Sequence, residues 1–309
     1  KKDLSIESIR NRMHIPDGYL DLTIALIFFV LTLVVLGYSL VKLRHGKLTS
    51  LFGIISAAIF AAQMLNWPIP GGTSAHFVGG SLAGILLGPF AGCVSMAIVL
   101  TIQTLVFNDG GITAWGANVW NMAVVNVFVG YYVYKALQRF GKTFASFIAG
   151  WIGITIAAIF AGIELGLSTS FAYGLSITVP VMGLWHAILG VIEGVITAGV
   201  VGYIATRRSD LLEKGETGKV PFVLIGLMIV LSPVFAYLAE EVGYSEPLEN
   251  VAEFLGLEEN TINPGLLPDY TIPGLDPYIG TLLSGAIGVL IVFLLSFAVK
   301  YAHSSRKNT

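Results

Sequence analysis

Long apolar runs separated by short polar breaks set the pattern of this chain. Runs at roughly 19–41, 51–67, 77–91, 93–107, 117–136, 145–167, 181–205, 220–238 and 278–299 predict nine helices. Most reach or approach the ~18–20 residues needed to cross about 30 Å of hydrocarbon. Thr23 to Leu40 is such a run without a single charge. The third and fourth runs are short and meet at Gly88-Pro89-Phe90-Ala91-Gly92, which suits a tight turn between two tilted or buried helices. A hydrophilic basic stretch, Arg207 to Lys219, divides seven spans from two. The expected fold is an all-α integral membrane protein of about nine transmembrane helices, a seven-helix main unit followed by a two-helix tail unit.

Composition strengthens this reading. The chain is 55% hydrophobic and 12% charged, against the ~25% charge of a soluble domain, so it lacks the polar material to cover a soluble surface. Its 36 glycines suit close helix packing. The one cysteine, Cys93, excludes an internal disulfide and a multi-thiolate metal cluster. Residues 1–12 are polar and lack the apolar core of a signal peptide.

The placement of charge gives the expected topology. Of the 17 Lys and Arg residues, four lie in the N-terminal dozen. The others follow the first, fifth, seventh and ninth spans: Lys42, Arg44 and Lys47; Lys135, Arg139 and Lys142; Arg207, Arg208, Lys214 and Lys219; Lys300, Arg306 and Lys307. Basic loops stay on the cytoplasmic side. The expectation is a multi-pass protein of the cell membrane with its N-terminus outside and its C-terminus in the cytoplasm. The outer loop of the tail, about 239–277, carries nine acidic residues and no basic one, with Pro-Gly turns at 264–265 and 273–274. No glycine-rich nucleotide loop and no basic nucleic-acid patch are present in the sequence.

This topology gathers the unusual residues at the outer face. His14 lies in a Pro- and Gly-turned segment, and His76 begins the third span after Gly71-Gly72. Imidazole is the commonest metal ligand near neutral pH. Two imidazoles with backbone nitrogens would make a nitrogen-rich, near-planar site, suited to Ni(II) or Cu(II) rather than to Ca or Mg. Taken alone, each histidine also has an ordinary reading, His14 as an interfacial residue of a loop and His76 as a helix N-terminal residue bonded to Thr73 or Ser74. Asp109, Asn118 and Asn121 are candidates to orient the histidines, or else turn and cap residues. His186 and Glu193 share one helix face, and an ionisable group inside a span is costly and usually functional; they read as gating groups or as links between helices. Glu164 has the same two readings. Gln63 and Gln103 read as glue between helices. His45 and His303 fall in basic inner loops and read as solvated.

Four separated segments carry a resemblance. Met13 to Leu20 (MHIPDGYL) resembles the N-terminal signature of the substrate-capture subunit of nickel and cobalt energy-coupling-factor transporters, the NikM and CbiM group. Pro68–Gly92, Phe107–Met122 and His186–Ala198 resemble its second, third and fourth signatures, in order. The tail, with SEPLENVAEFLG and LLPDYTIPG, resembles the NikN or CbiN partner fused to the main unit, although SEPLEN stands where a PDGLE-like string is usual. The resemblance implies a metal-capture unit over 13–205, a cytoplasmic linker over 206–219, and a two-helix unit over 220–309, with 1–12 a leader or tag. It implies that Ni(II) or Co(II) is held by the amine of Met13, by the backbone and imidazole nitrogens of His14, and by His76. Met13 offers a free amine only if the twelve preceding residues are processed or misassigned. The resemblance also implies transport rather than enzymatic activity, with ATP hydrolysed by separate ATPase subunits acting through a coupling membrane subunit. Nickel fits the signature better than cobalt. A metal sensor or accessory protein without translocation, and an intramembrane metalloenzyme using His14, His76 and Asp109, are the alternatives.

Overall fold

A computed structural model describes residues 14–43, 49–69, 73–207, 218–242 and 261–305. Met13, residues 1–12, His45, Gly71-Gly72, residues 208–217 of the linker and residues 243–260 of the acidic loop lie outside the described residues, as does the side chain of His303. The elements are α1 (Leu22–Lys42), α2 (Thr49–Gln63), a hairpin of β1 (Trp67–Ile69) and β2 (Thr73–Ala75), α3 (Gly80–Leu87), α4 (Pro89–Val106), α5 (Trp115–Val119), a π-helical turn (Trp120–Val125), α6 (Asn126–Leu137), α7 (Lys142–Leu167), α8 (Leu175–Arg207), α9 (Val220–Val242) and α10 (Pro277–Ser305). Among the described residues, six helices are long and apolar enough to cross a membrane: α1, α4, α7, α8, α9 and α10. The protein is an all-α integral membrane protein.

The third span departs from its expected 77–91. Its helix runs only from Gly80 to Leu87, bracketed by Gly79 (φ 80°) and Gly88 (φ 83°). Left-handed glycines end helices because a Cβ is disfavoured there. Eight residues extend about 12 Å, so the helix by itself covers less than half of a ~30 Å crossing. So α3 is a buried half-helix wrapped by α4, α6 and α7. Conversely, α8 begins at Leu175, before the expected 181. Pro180 lies close to its start, where the lost ladder bond bends the first turns without ending the helix.

Packing between helices relies on small residues, because lipid gives apolar surfaces no reason to leave it. A Cβ on Gly194 of α8 would meet Phe147 O of α7 at 2.7 Å, and Trp151 Nε1 donates to Ala187 O at 2.7 Å across the same seam. Gly116 similarly admits the backbone of Phe29, and Thr32 Oγ1 donates to Gly116 O at 2.7 Å. Leu22, Val30, Val34 and Val41 turn outward from α1 toward lipid.

Two further contacts position the site. Asp21 caps α1, accepting from Thr23 N (2.9 Å) and Ile24 N (3.1 Å), and its other oxygen accepts from Thr169 N at 2.7 Å. The Thr169 amide above all, with that of Ile24, holds the Asp21 carboxyl below its usual range. Tyr19, Leu20 and Phe28 then pack with Ala114, Leu165 and Phe171, pinning the segment that carries His14 between α5 and the α7–α8 turn. In the tail, α9 and α10 lie against α2, and α10 also touches α4.

Candidate metal site

His14 is buried in a clamp made by its neighbours. Asn118 of α5 holds the backbone of Ile15 on both sides: Ile15 N donates to Asn118 Oδ1 and Asn118 Nδ2 donates to Ile15 O, each at 3.0 Å. Gly111 N adds a 2.9 Å bond to Ile15 O. Asp17 Oδ1 accepts from Thr113 N (2.8 Å) and Thr113 Oγ1 (2.6 Å). Asn118 thus acts on the chain beside His14 and not on the imidazole. Asp17, which sequence reasoning did not single out, ties the same segment to the loop before α5.

The ring of His14 is set by a relay of two glutamines. Val78 O can only accept, so it takes the amide nitrogen of Gln63 (2.8 Å). Gln63 Oε1 then accepts from Gln103 Nε2 (2.9 Å), and Gln103 Oε1 faces His14 Nε2 at 3.0 Å. An amide oxygen accepts, so Nε2 carries the proton and Nδ1 keeps the lone pair. That Nδ1 is buried and has no hydrogen-bond partner. The relay leaves the nitrogen nearest the backbone of His14 open to a ligand.

The His76 ring meets the His14 ring edge-on, with centroids 5.7 Å apart and planes at 70°. Three features deliver it: the β1–β2 hairpin, the left-handed Gly79, and Glu193 of α8. Glu193 accepts from Val78 N (3.0 Å) and Gly79 N (2.8 Å), so this carboxylate inside the membrane anchors the loop after His76. Burial pushes the His76 imidazole down to about 4, and the nearby Asp109 carboxylate opposes the drop. His76 is therefore a neutral ring at ordinary pH, the form that binds a metal.

Asp109 approaches His14 Nε2 at 3.8 Å, but its short bond is to the tail. Tyr270 Oη donates to Asp109 Oδ2 at 2.6 Å. Burial, then the charge of Asp109, raises the Tyr270 hydroxyl well above its ordinary value. Tyr270 stacks on Phe107 with centroids 4.7 Å apart. The backbone around it is laced to the end of α4: Leu266 N and Leu267 N to Val106 O at 2.8 Å, and Asp269 N to Phe107 O at 3.0 Å. The tail loop thus reaches the wall of the main unit's site. The sequence signal for Tyr270 was its place in the LLPDYTIPG string that carries the tail's resemblance, with no sign that it meets Asp109. Tyr270→Phe, which leaves Asp109 Oδ2 without this donor, is expected to destabilise the protein by about 1–3 kcal/mol. Thermal unfolding in detergent would check it, and an unchanged midpoint would contradict it.

Asn121 does not touch the histidines. Its Nδ2 donates to Glu164 Oε2 at 2.7 Å. His186 also stays apart from His14, with Nδ1 bonded to Met182 O at 2.9 Å. The structure therefore brings together His14, His76 and Asp109, uses Asn118 and Glu193 as backbone clamps, and places Asn121 and His186 in the lining of a cavity of about 100 Å³ that they share with both histidines. Among the described residues there is no group of three or more His, Cys, Asp or Glu side chains that could hold a metal ion, so the two imidazoles are the side-chain donors this corner offers.

A membrane-embedded bundle with a paired-imidazole corner is the build of a metal-ion transport component. Comparison with known proteins gives the family. Residues 14–211 match the cobalt uptake substrate-specific transmembrane region and residues 237–305 match the PDGLE domain. The chain belongs to this CbiM family, with a fused PDGLE domain, and is a non-enzymatic, multi-pass transport protein. It is 70% identical over 295 residues to an Archaeoglobus fulgidus protein provisionally named fused nickel transport protein NikMN, covering 95% of this chain and 100% of that one. It is 35% identical over 249 residues to the fused nickel transport protein NikMN of Rhodobacter capsulatus, covering 72% of each. A crystal structure of a truncated transition metal transporter is similar with a TM-score of 0.58 at 38% identity, over 62% of this chain and 98% of that one.

Proposed function

We propose that this chain is the substrate-capture component of an ATP-driven energy-coupling-factor importer, and that its substrate is Ni(II), with Co(II) second. The ion is taken at the outer face by a nitrogen set of His14, His76 and the amine of Met13. The observation that carries this reading is His14: its Nδ1 is buried, unpartnered and held in the ligating tautomer by a relay through Gln103 and Gln63. His14 Nδ1 and its own backbone nitrogen are spaced to close a six-membered chelate ring, and His76 stands across from it. Nitrogen donors of this kind favour late divalent metals over Mg or Ca. Relatives with the same fused arrangement are named nickel transport proteins, which favours nickel. In this reading residues 13–205 form the capture unit and 206–219 a cytoplasmic linker, and the fused two-helix unit of 220–309 lays its loop over the site. The N-terminus lies outside and the C-terminus in the cytoplasm. The basic inner loops receive a coupling membrane subunit and its cytoplasmic ATPases.

The test compares two forms of the purified protein, one beginning at Met13 and one bearing residues 1–12, each titrated with Ni(II) and Co(II). The shorter form is expected to bind one Ni(II) tightly and the longer one far more weakly, because the extension turns the Met13 amine into an amide. Equal affinity in the two forms would remove the amine from the ligand set, and no binding in either would overturn the capture reading.

A further inference from the structure

The cavity lined by His14 and His76 is also lined by a third imidazole, His186 of α8. His76 and His186 also line a second, smaller cavity of about 30 Å³ together with Glu193. Continuity of this kind gives an ion released by His14 a place to go.

The chemistry of the cavity lining suits a cation. His186 Nδ1 lies 2.9 Å from Met182 O, one turn earlier on α8. A carbonyl only accepts, so Nδ1 carries the proton and the neutral ring keeps its lone pair on Nε2. Backbone hydrogen bonds of this type fix the tautomer of metal-binding histidines. Asn121 gives its Nδ2 to Glu164 Oε2 at 2.7 Å, while its Oδ1, an acceptor, is buried without a hydrogen-bond partner on the same wall. The thioethers of Met122 and Met182 line the cavity too, and Asn126 Nδ2, a buried donor without a partner, suits a water carried by the ion. Buried polar atoms are nearly always paired in folded proteins, and here the unpaired Asn121 Oδ1 and Asn126 Nδ2 belong to residues that line the same cavity as His186.

We infer that His186 Nε2 and Asn121 Oδ1 form a second, weaker station for the transported divalent ion, reached after release from His14 with His76 serving both positions. This rests on the capture reading above. One imidazole and one amide oxygen hold an ion less firmly than a full nitrogen set, as a transit site must if the ion is to leave it.

The experiment places a reporter at the station. His186→Cys in the full membrane protein is titrated past one equivalent of Ni(II). A near-ultraviolet thiolate-to-nickel charge-transfer band is expected with the second equivalent. Wild type is expected to show none, since its one cysteine, Cys93, is buried within α4. Asn121→Asp, which adds a charged oxygen ligand to the same wall, is expected to tighten the second equivalent by at least about tenfold. In cells that carry the complete transporter, His186→Ala is expected to cut nickel uptake by about tenfold or more while the first equivalent binds as in wild type. Absence of the band together with an unchanged second equivalent in Asn121→Asp would overturn the station, and so would wild-type uptake in His186→Ala. The first equivalent judges the capture reading separately: its loss in wild type would sink that reading, whereas the band in His186→Cys reports on position 186 alone.

Discussion

His76→Ala, and separately His14→Ala, should remove high-affinity Ni(II) binding from a chain that begins at Met13. The expected loss exceeds the ~10–100-fold that removal of a partner outside the coordination sphere costs, because each substitution deletes one of the two imidazoles that meet at 5.7 Å. The His14 ring is buried among Gln103, Asp109 and the His76 ring, so the alanine leaves a hole and thermal unfolding must be recorded beside the titration. His76→Gln keeps a polar side chain of similar reach without an imidazole and should fail to bind as completely as the alanine. Calorimetric titration reads the effect directly. Affinity within about threefold of wild type in His76→Ala would mean that the ring contact is structural and that the ion sits elsewhere.

Gln103→Leu should weaken Ni(II) binding by roughly 10–100-fold although Gln103 touches no metal in this reading. Its Oε1 is the acceptor for His14 Nε2–H, and its own amide is oriented by Gln63, which is oriented in turn by Val78 O. Without that acceptor the imidazole is free to carry its proton on Nδ1, the nitrogen meant for the ion. The informative companion is Gln103→Glu. It restores an acceptor for Nε2–H but loses the donor to Gln63, so it should recover more affinity than leucine does. Nitrogen chemical shifts of His14 would show the tautomer change itself. If leucine and glutamate variants bound equally well, the relay would be packing and nothing more.

The relay shows why part of the site could be read in the sequence and part could not. His14, His76 and Asp109 stood out because polar and turn-forming residues are conspicuous between apolar runs. Gln63 and Gln103 did not, since a glutamine inside a span reads as a helix link until its partner is known, and the partner of Gln103 is His14, 89 residues away. Asn118 read as a residue orienting the histidines or as a turn or cap residue, and Glu193 as a gating group or a link between helices; the fold bonds both to backbone, Asn118 at Ile15 beside His14 and Glu193 across to Val78 and Gly79. Asn121, which lies in the π-helical turn of Trp120–Val125, pairs with Glu164, and no periodicity in the sequence announces such a turn. Tyr270 was hidden among acidic loop residues and gained its meaning from the contact with Asp109 across 161 positions.

What the sequence determined by itself is the solvent and the class of fold. Without water every amide must find a protein partner, in a helix or a closed barrel, and continuous apolar runs of this length, without the alternation of barrel strands, select the helix. Basic clusters at alternate exits and the special residues between them followed from the same one-dimensional pattern. What only the tertiary structure decided is which polar atoms face one another. The half-length of α3 between two left-handed glycines, the proton on Nε2 of His14, the clamp of Glu193 and the reach of the tail loop to Asp109 all depend on contacts between residues far apart in the chain. Hydrogen bonds have direction and a range of about 3 Å, so residue spacing along a chain cannot supply them until close packing has fixed every neighbour in place.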